Sequence, residues 1–273
     1  MDLNSNNYYS RQADLKYWSS SQYKSFMRCQ AKAMAELAGD WERADSTAMA
    51  KGRYLDERIE LKTDEELQSW YSKHPEYFMK SGKMYADFNY AEEAYQRILK
   101  DEYFMDFITG EGVLHQEIRT FEIGGVPFKA KCDSLFEDKI VDLKTTSSRG
   151  YYEGIWNSET RKREHLIIAY GYHLQGALYQ EAERQKTGVR KPFFIAQVIL
   201  PTKDVKTDYD IILVDDSILY QALEEIKSNI GQLDLVKQGL LEPYRCEECD
   251  FCKSTKRLDS FKLLSEITGS DRI

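Results

Sequence analysis

The sequence has no low-complexity tract, no internal repeat and no linker-like stretch, which argues for one packed unit over a disordered or fibrous chain. It also lacks long apolar runs. "HLIIAYGYHL" and "PFFIAQVILP" fall well short of the ~20 residues that span a bilayer. The polar start "MDLNSNNYYSRQ" has no signal-peptide core, so a cytoplasmic protein with no membrane partner is expected. Positive charge is in deficit: 38 Lys and Arg stand against 46 Asp and Glu, a net charge of −8. That balance weighs against a surface covered in phosphate-binding groups, yet it leaves room for a local basic strip. Cysteine is scarce and odd in number, at five, which does not read as a disulfide framework.

The chain does contain enough to build a core. Its 273 residues are 42% hydrophobic and 31% charged, the balance of an ordinary globular protein. Residues 19 to 38 read as a helix opened by a serine cap, and "STAMAKGRYLDERIEL" as a second helix capped at Ser46 or Thr47. Residues 64 to 110 follow in several helical pieces, broken at "HPEYFMKSGK". From residue 113 the period changes to two. "VLHQEIRTFEI", "VPFKAKCDSLF" and "KIVDLKTT" form a β-meander, turned at "GG" and "ED". "YYEGIWNSETRKRE" reads as an irregular loop, and the stretch from His165 to Gln185 as one long helix ending near Gly188. "KPFFIAQVILP" is a strand buried on both faces, "YDIILVD" a further strand, and a final helix precedes the cysteines. One α/β domain over 1–273 is expected. It divides into a mainly helical part (1–110), an α/β core (111–215), and a C-terminal helix with a cysteine cluster (216–273). Most of the nineteen tyrosines are read as packing residues.

The meander holds a chemical anomaly. A short turn makes its second and third strands antiparallel neighbours, so Asp133 and Asp142 can converge. Asp142 and Lys144, two apart, share a strand face. Two acids and a lysine pack poorly, but they suit phosphodiester cleavage. The carboxylates, with the Leu143 carbonyl close by, would hold Mg²⁺ or Mn²⁺, and Lys144 would orient a water or offset developing charge. Without a cation the two acids would repel.

"CDSLFEDKIVDLKTTSS" resembles the motif of the PD-(D/E)xK nuclease superfamily, in its RecB-like and RecE-like branch. The resemblance implies a restriction-endonuclease-like fold, a mixed central sheet flanked by helices. Asp133, Asp142 and Lys144 match the family's two acids and its lysine. Gln175 and Tyr179 in "YHLQGALYQ" match its Gln-x-x-x-Tyr pair, one helical turn apart. Asp56, four residues after Gly52, matches the position of a further metal ligand, where many members carry histidine. The implied activity is Mg²⁺- or Mn²⁺-dependent exonucleolytic hydrolysis of linear DNA. A phage recombination setting goes with it, with a single-strand annealing protein as partner and a homo-oligomer as one state. A structure-selective endonuclease and a non-catalytic, metal-stapled DNA-binding module are the alternatives.

Cys246, Cys249 and Cys252 form Cys-x-x-Cys-x-x-Cys, three thiolates that need a fourth ligand. Cys29 and Cys132 are the remaining candidates, and Cys132 reads as a core residue facing away from Asp133. "SQYKSFMRCQAKA" resembles the first-cysteine helix of RecB-like nucleases that carry an iron–sulfur cluster, which implies Cys29 as the fourth. The gap between Cys249 and Cys252 is shorter than that group's, so iron–sulfur and zinc both stay open.

Basic residues cluster near the motif, with Arg149, Arg161, Lys162 and Arg163 after the third strand and Lys129, Lys131 and Lys139 on the meander. Tyr151, Tyr152 and Trp156 interleave with them, a mixture suited to contacting a DNA strand. Glu117 is ranked below the other acids as a site residue. His173 is read as structural.

Overall fold

The computed structural model describes residues 2–42, 46–157, 161–258, 260–261 and 263–264, without the side chains of Ser148 and Arg149. The DNA contact expected of Arg149 therefore lies outside the described residues.

The N-terminal part comprises α1 (Arg11–Lys16), α2 (Ser20–Arg28), α3 (Gln30–Ala38), α4 (Thr47–Glu60), α5 (Asp64–Lys73), a 3-10 turn (Pro75–Tyr77), α6 (Ala86–Ile98) and α7 (Glu102–Thr109). Side-chain oxygens start several of these helices. Ser10, Ser19, Ser46 and Thr63 each accept the N–H three residues on, satisfying donors that the helix itself cannot. The single helix expected over 19–38 is two. Cys29 is extended, with φ −163° and ψ 104°, and Ala31 gives its N–H to the Tyr244 carbonyl at 3.0 Å. A tertiary contact outcompetes helix propensity there.

The core follows as β1 (Leu114–Ile123), β2 (Val126–Leu135), β3 (Ile140–Ser147), α8 (Ser148–Tyr152), β4 (Ile155–Asn157), β5 (Lys162–Glu164), α9 (Leu166–Ala169), α10 (Tyr172–Thr187), β6 (Phe193–Leu200) and β7 (Asp208–Leu213). The chain then forms α11 (Asp216–Lys237) and α12 (Asp250–Ser254). Two expectations need correction. The segment read as an irregular loop contains the β4–β5 hairpin, and the long helix is broken at Gly171, whose φ is +66°.

Five strands form one sheet in the order β1-β2-β3-β6-β7, parallel between β3 and β6 and antiparallel elsewhere. Helices cover both faces. Alternate residues of β6 enter different cores: Phe193 and Ile195 meet α10 and α11, while Ala196, Val198 and Leu200 meet α4, α6 and α7. This is the mixed, helix-flanked sheet expected of a restriction-endonuclease-like fold. Among the described residues, no helix is long and apolar enough to cross a membrane.

The sheet is not uniform. β1 and β2 pair from Leu114 to Ile123 with one break at Gln116 and Asp133, but β2 and β3 pair only at Ser134↔Val141 and Leu135↔Ile140. Beyond Ser134 the two strands part. The backbone of Trp18 enters against β2, donating to Pro127 at 2.8 Å and accepting from Lys129 at 2.7 Å. The space opened by this parting is the candidate site.

Candidate active site

One more step of the β2–β3 register would set Asp133 opposite Asp142, and that is where the strands separate. The released backbone groups are taken by side chains, as buried polar groups require. Asp133 Oδ2 accepts the Leu143 N–H at 3.2 Å, and the Tyr179 hydroxyl donates to the Lys131 carbonyl at 2.7 Å. Asp142 is fully buried. Its Oδ1 accepts from Gln175 Nε2 at 2.8 Å, and its Oδ2 touches the Lys144 ammonium. Gln175 Nε2 also donates to the Tyr179 hydroxyl at 2.7 Å.

Two glycines set these distances. A Cβ on Gly176 would lie 2.3 Å from the Phe193 ring, so only glycine lets α10 seat Gln175 and Tyr179 directly over β6. A Cβ on Gly52 would lie 3.3 Å from Thr145 Oγ1, a tight approach that lets α4 carry Asp56 onto β3. Asp56, Asp133, Gln175 and Tyr179 then line one cleft of 710 Å³.

The electrostatics reflect three acids gathered out of water. Burial, reinforced by Asp142 and Glu60 and opposed by Lys144 and Lys131, raises Asp56 to about 7. Asp133 is pushed well above the carboxylate range by burial and by direct contact with Asp142. Burial works to lower Lys144, but Asp142 and Asp133 outweigh it and hold the ammonium above its ordinary value. Burial also raises Tyr179, keeping it a neutral hydroxyl donor. Lys144 Nζ lies 3.4 Å from the Leu143 carbonyl and 5.2 Å from the centroid of the Tyr172 ring.

The donor set of Asp56, Asp133, Asp142 and the Leu143 carbonyl is all oxygen, and its acids exceed its nearby cations. Such a set suits Mg²⁺ or Mn²⁺. A pH dependence follows. Asp56 rises from an ordinary 3.8 to about 7 on folding, so the metal-free protein should lose stability as pH climbs between those values. Thermal melts at pH 5 and pH 8 should show the lower midpoint at pH 8, and added Mg²⁺ should raise that midpoint more than the one at pH 5. Equal responses at both pH values would contradict the site.

A family model described as a PDDEXK-like domain of unknown function (DUF3799) matches residues 19–255. The chain belongs to this PDDEXK-like family. A candidate exonuclease from Eubacterium rectale, known from its crystal structure, is 37% identical over 98% of this chain and 99% of its own, with a TM-score of 0.87. An exonuclease called LHK-Exo, solved with dAMP, is 15% identical over 84% of this chain and 93% of its own, with a TM-score of 0.41. No curated protein matches the chain.

The matched region of this PDDEXK-like chain also contains four cysteines placed so that they could hold a metal ion. The sulfurs of Cys29, Cys246, Cys249 and Cys252 all lie within 4.8 Å of one another, the one such group among the described residues. The three carboxylates do not close to a comparable spacing. Cys29 and Cys252 Sγ are 3.5 Å apart, and the Cys249 N–H points at Cys246 Sγ at 3.3 Å. Backbone N–H groups of Glu248 and Cys249 lower Cys246 to about 6, and burial drives Cys252 up to about 12. Four thiols this close, one of them poised as a thiolate, suit a sulfur-loving metal centre. Cys132 is fully buried in the main core, as expected.

Other expected residues fall elsewhere. Arg161, Lys162 and Arg163 are exposed on and beside the β4–β5 hairpin, where Arg163 faces Trp156 across the strands, and none of them lines the cleft. Tyr151 donates its hydroxyl to Asp210 on β7. Glu117 turns to Arg119, which also binds Glu183 at 2.6 Å, so it does not join the acids. His173 contacts the Ile167 carbonyl at 3.1 Å, a structural role. Gln116 was not anticipated. It lines the cleft opposite Asp133 with φ +53°, a strained conformation for a glutamine, which no local sequence signal foretells.

Proposed function

We propose that the protein is a metal-dependent deoxyribonuclease that degrades linear DNA from its ends. The meeting of Asp56, Asp133 and Asp142 with the Lys144 ammonium, where β2 and β3 part, carries this reading. The description of the Eubacterium rectale relative as a candidate exonuclease supports it. Mg²⁺ or Mn²⁺ held by the three aspartates and the Leu143 carbonyl would acidify a bound water and offset charge on the scissile phosphate.

The chain's own groups supply the rest. Lys144 stays protonated and offers N–H donors to the attacking water or a phosphate oxygen. Both Nε2 protons of Gln175 are committed, to Asp142 and to Tyr179, so its Oε1 is the atom left to accept from that water. Tyr179, fixed by the Lys131 carbonyl, keeps the amide from turning. The exposed hairpin, with Arg161, Lys162, Arg163 and Trp156, contacts the DNA outside the cleft. The four cysteines hold an iron–sulfur cluster, with zinc as the alternative. The setting is phage-type recombination beside a single-strand annealing protein, with self-association as a further feature.

End-labelled linear duplex and a covalently closed circle, incubated with Mg²⁺, test the central claim. The linear form should yield mononucleotides while the circle persists, and Asp142→Asn should leave both intact. Cleavage of the circle at the rate of the linear form would favour the endonuclease reading instead.

A further inference from the structure

Tyr9 is 71% exposed although it lines the same cleft as Asp56 and Asp133. An aromatic ring left open in this way contributes little to folding, so its mounting is informative. Beneath it, Tyr8 is 7% exposed and meets Tyr9 edge to face, with ring centroids 4.9 Å apart. Tyr8 is clamped in turn by Lys129, a nearly buried lysine on β2. Its Nζ contacts the Tyr8 carbonyl, binds Asp14 at 2.6 Å and lies 4.6 Å from the centroid of the Tyr8 ring. Tyr8 is therefore held from several sides, while most of the Tyr9 ring stays open to solvent.

Lys131 Nζ lies 4.8 Å from the centroid of the Tyr9 ring. Lys129, Lys131 and Asp133 alternate along β2 and so project from one face. The Lys131 carbonyl is also the group that Tyr179 holds. Ring, ammonium and metal-binding acid thus form a short row along one strand.

We infer that Tyr9 is a stacking platform for an unpaired nucleobase of the DNA being cut, with Lys131 neutralising the adjoining phosphate. The inference rests on the nuclease reading and narrows its substrate to a strand that is single where it crosses the cleft. A base within a duplex has both faces occupied by its neighbours and cannot lie on the ring. Stacking tolerates every base, which suits an enzyme that degrades DNA without choosing its sequence.

The test separates this inference from the nuclease reading. In the Lys144→Ala background, which disables cleavage, single-stranded oligonucleotides carry 2-aminopurine at one position at a time near the end. With Mg²⁺ present, one position should be quenched on binding, and Tyr9→Ala should abolish that quenching. Tyr9→Ala should weaken Kd about tenfold, while Tyr9→Phe and Tyr9→Trp should stay within about twofold of Tyr9. An abasic residue at the quenched position should erase the difference between Tyr9 and Tyr9→Ala. DNA binding with the same Kd and the same quenching in Tyr9→Ala would overturn the platform and leave the nuclease reading standing. Absence of DNA binding by every variant would overturn both.

Discussion

Lys144→Ala should lower the rate of DNA hydrolysis about 10²- to 10⁴-fold, the range for a positioned proton donor or acceptor. The effect should be large because nothing nearby can substitute. Lys144 is the cation that touches Asp142, while the other lysine acting on these acids, Lys131, lies beside the Tyr9 ring. Its loss also leaves buried acids without their counter-charge, so the metal-free variant should melt earlier than the wild type, and Mg²⁺ should recover most of the difference. Lys144→Arg would separate charge from geometry. A planar guanidinium retains the charge but not the compact ammonium, and the rate should stay near that of the alanine variant. Single-turnover digestion of end-labelled duplex measures all three proteins. An alanine variant working at more than about a tenth of the wild-type rate would remove Lys144 from the chemistry.

The second large effect concerns a residue with no place in the cleft. Cys29→Ser should release the metal of the four-cysteine centre and cost most of the protein's stability. Structural thiolate sites contribute on the order of 10 kcal/mol, comparable to the entire stability of a typical domain. Activity should fall with it. Cys29 is the hinge between α2 and α3, and Ser19, Ser20, Ser21 and Lys24 at the start of α2 line the cleft. Metal analysis, a visible spectrum of anaerobically purified protein and a melting curve should report the loss together. Cys132→Ser should keep its metal, because that sulfur lies in the main core. A colourless wild-type protein containing neither iron nor zinc would end the claim.

Much of the candidate site was legible in the sequence because it obeys short periods. Asp142 and Lys144 share a face through the two-residue repeat of a strand, and Gln175 and Tyr179 through the turn of a helix. The unbroken apolar run of β6 announced burial on both faces. What escaped depends on partners far along the chain. Helix propensity at 19–38 gave way at Cys29 because Ala31 pairs with Tyr244, and Gly171 ended a pattern whose residues otherwise favour helix. Residue types around 155–164 hinted at DNA contact but not at a hairpin. The mounting of Tyr8 and Tyr9 depends on Lys129 and Lys131, more than a hundred positions later, and the left-handed Gln116 sits at a break in the β1–β2 register. Neither leaves a local mark.

The entry of Trp18 against β2 has a consequence for biosynthesis. Its backbone needs Pro127 and Lys129, its indole N–H donates to Asp234 at 2.7 Å, and the neighbouring helix is tied by Cys29 to Cys252, 223 positions away. Domains made on the ribosome assemble from the N-terminus onward, but this wall cannot dock until nearly the whole chain has emerged. A nascent or prematurely terminated polypeptide would carry the three aspartates and the lysine without the surface that encloses them. The wall of the cleft is thus completed only by contacts with residues that lie late in the chain.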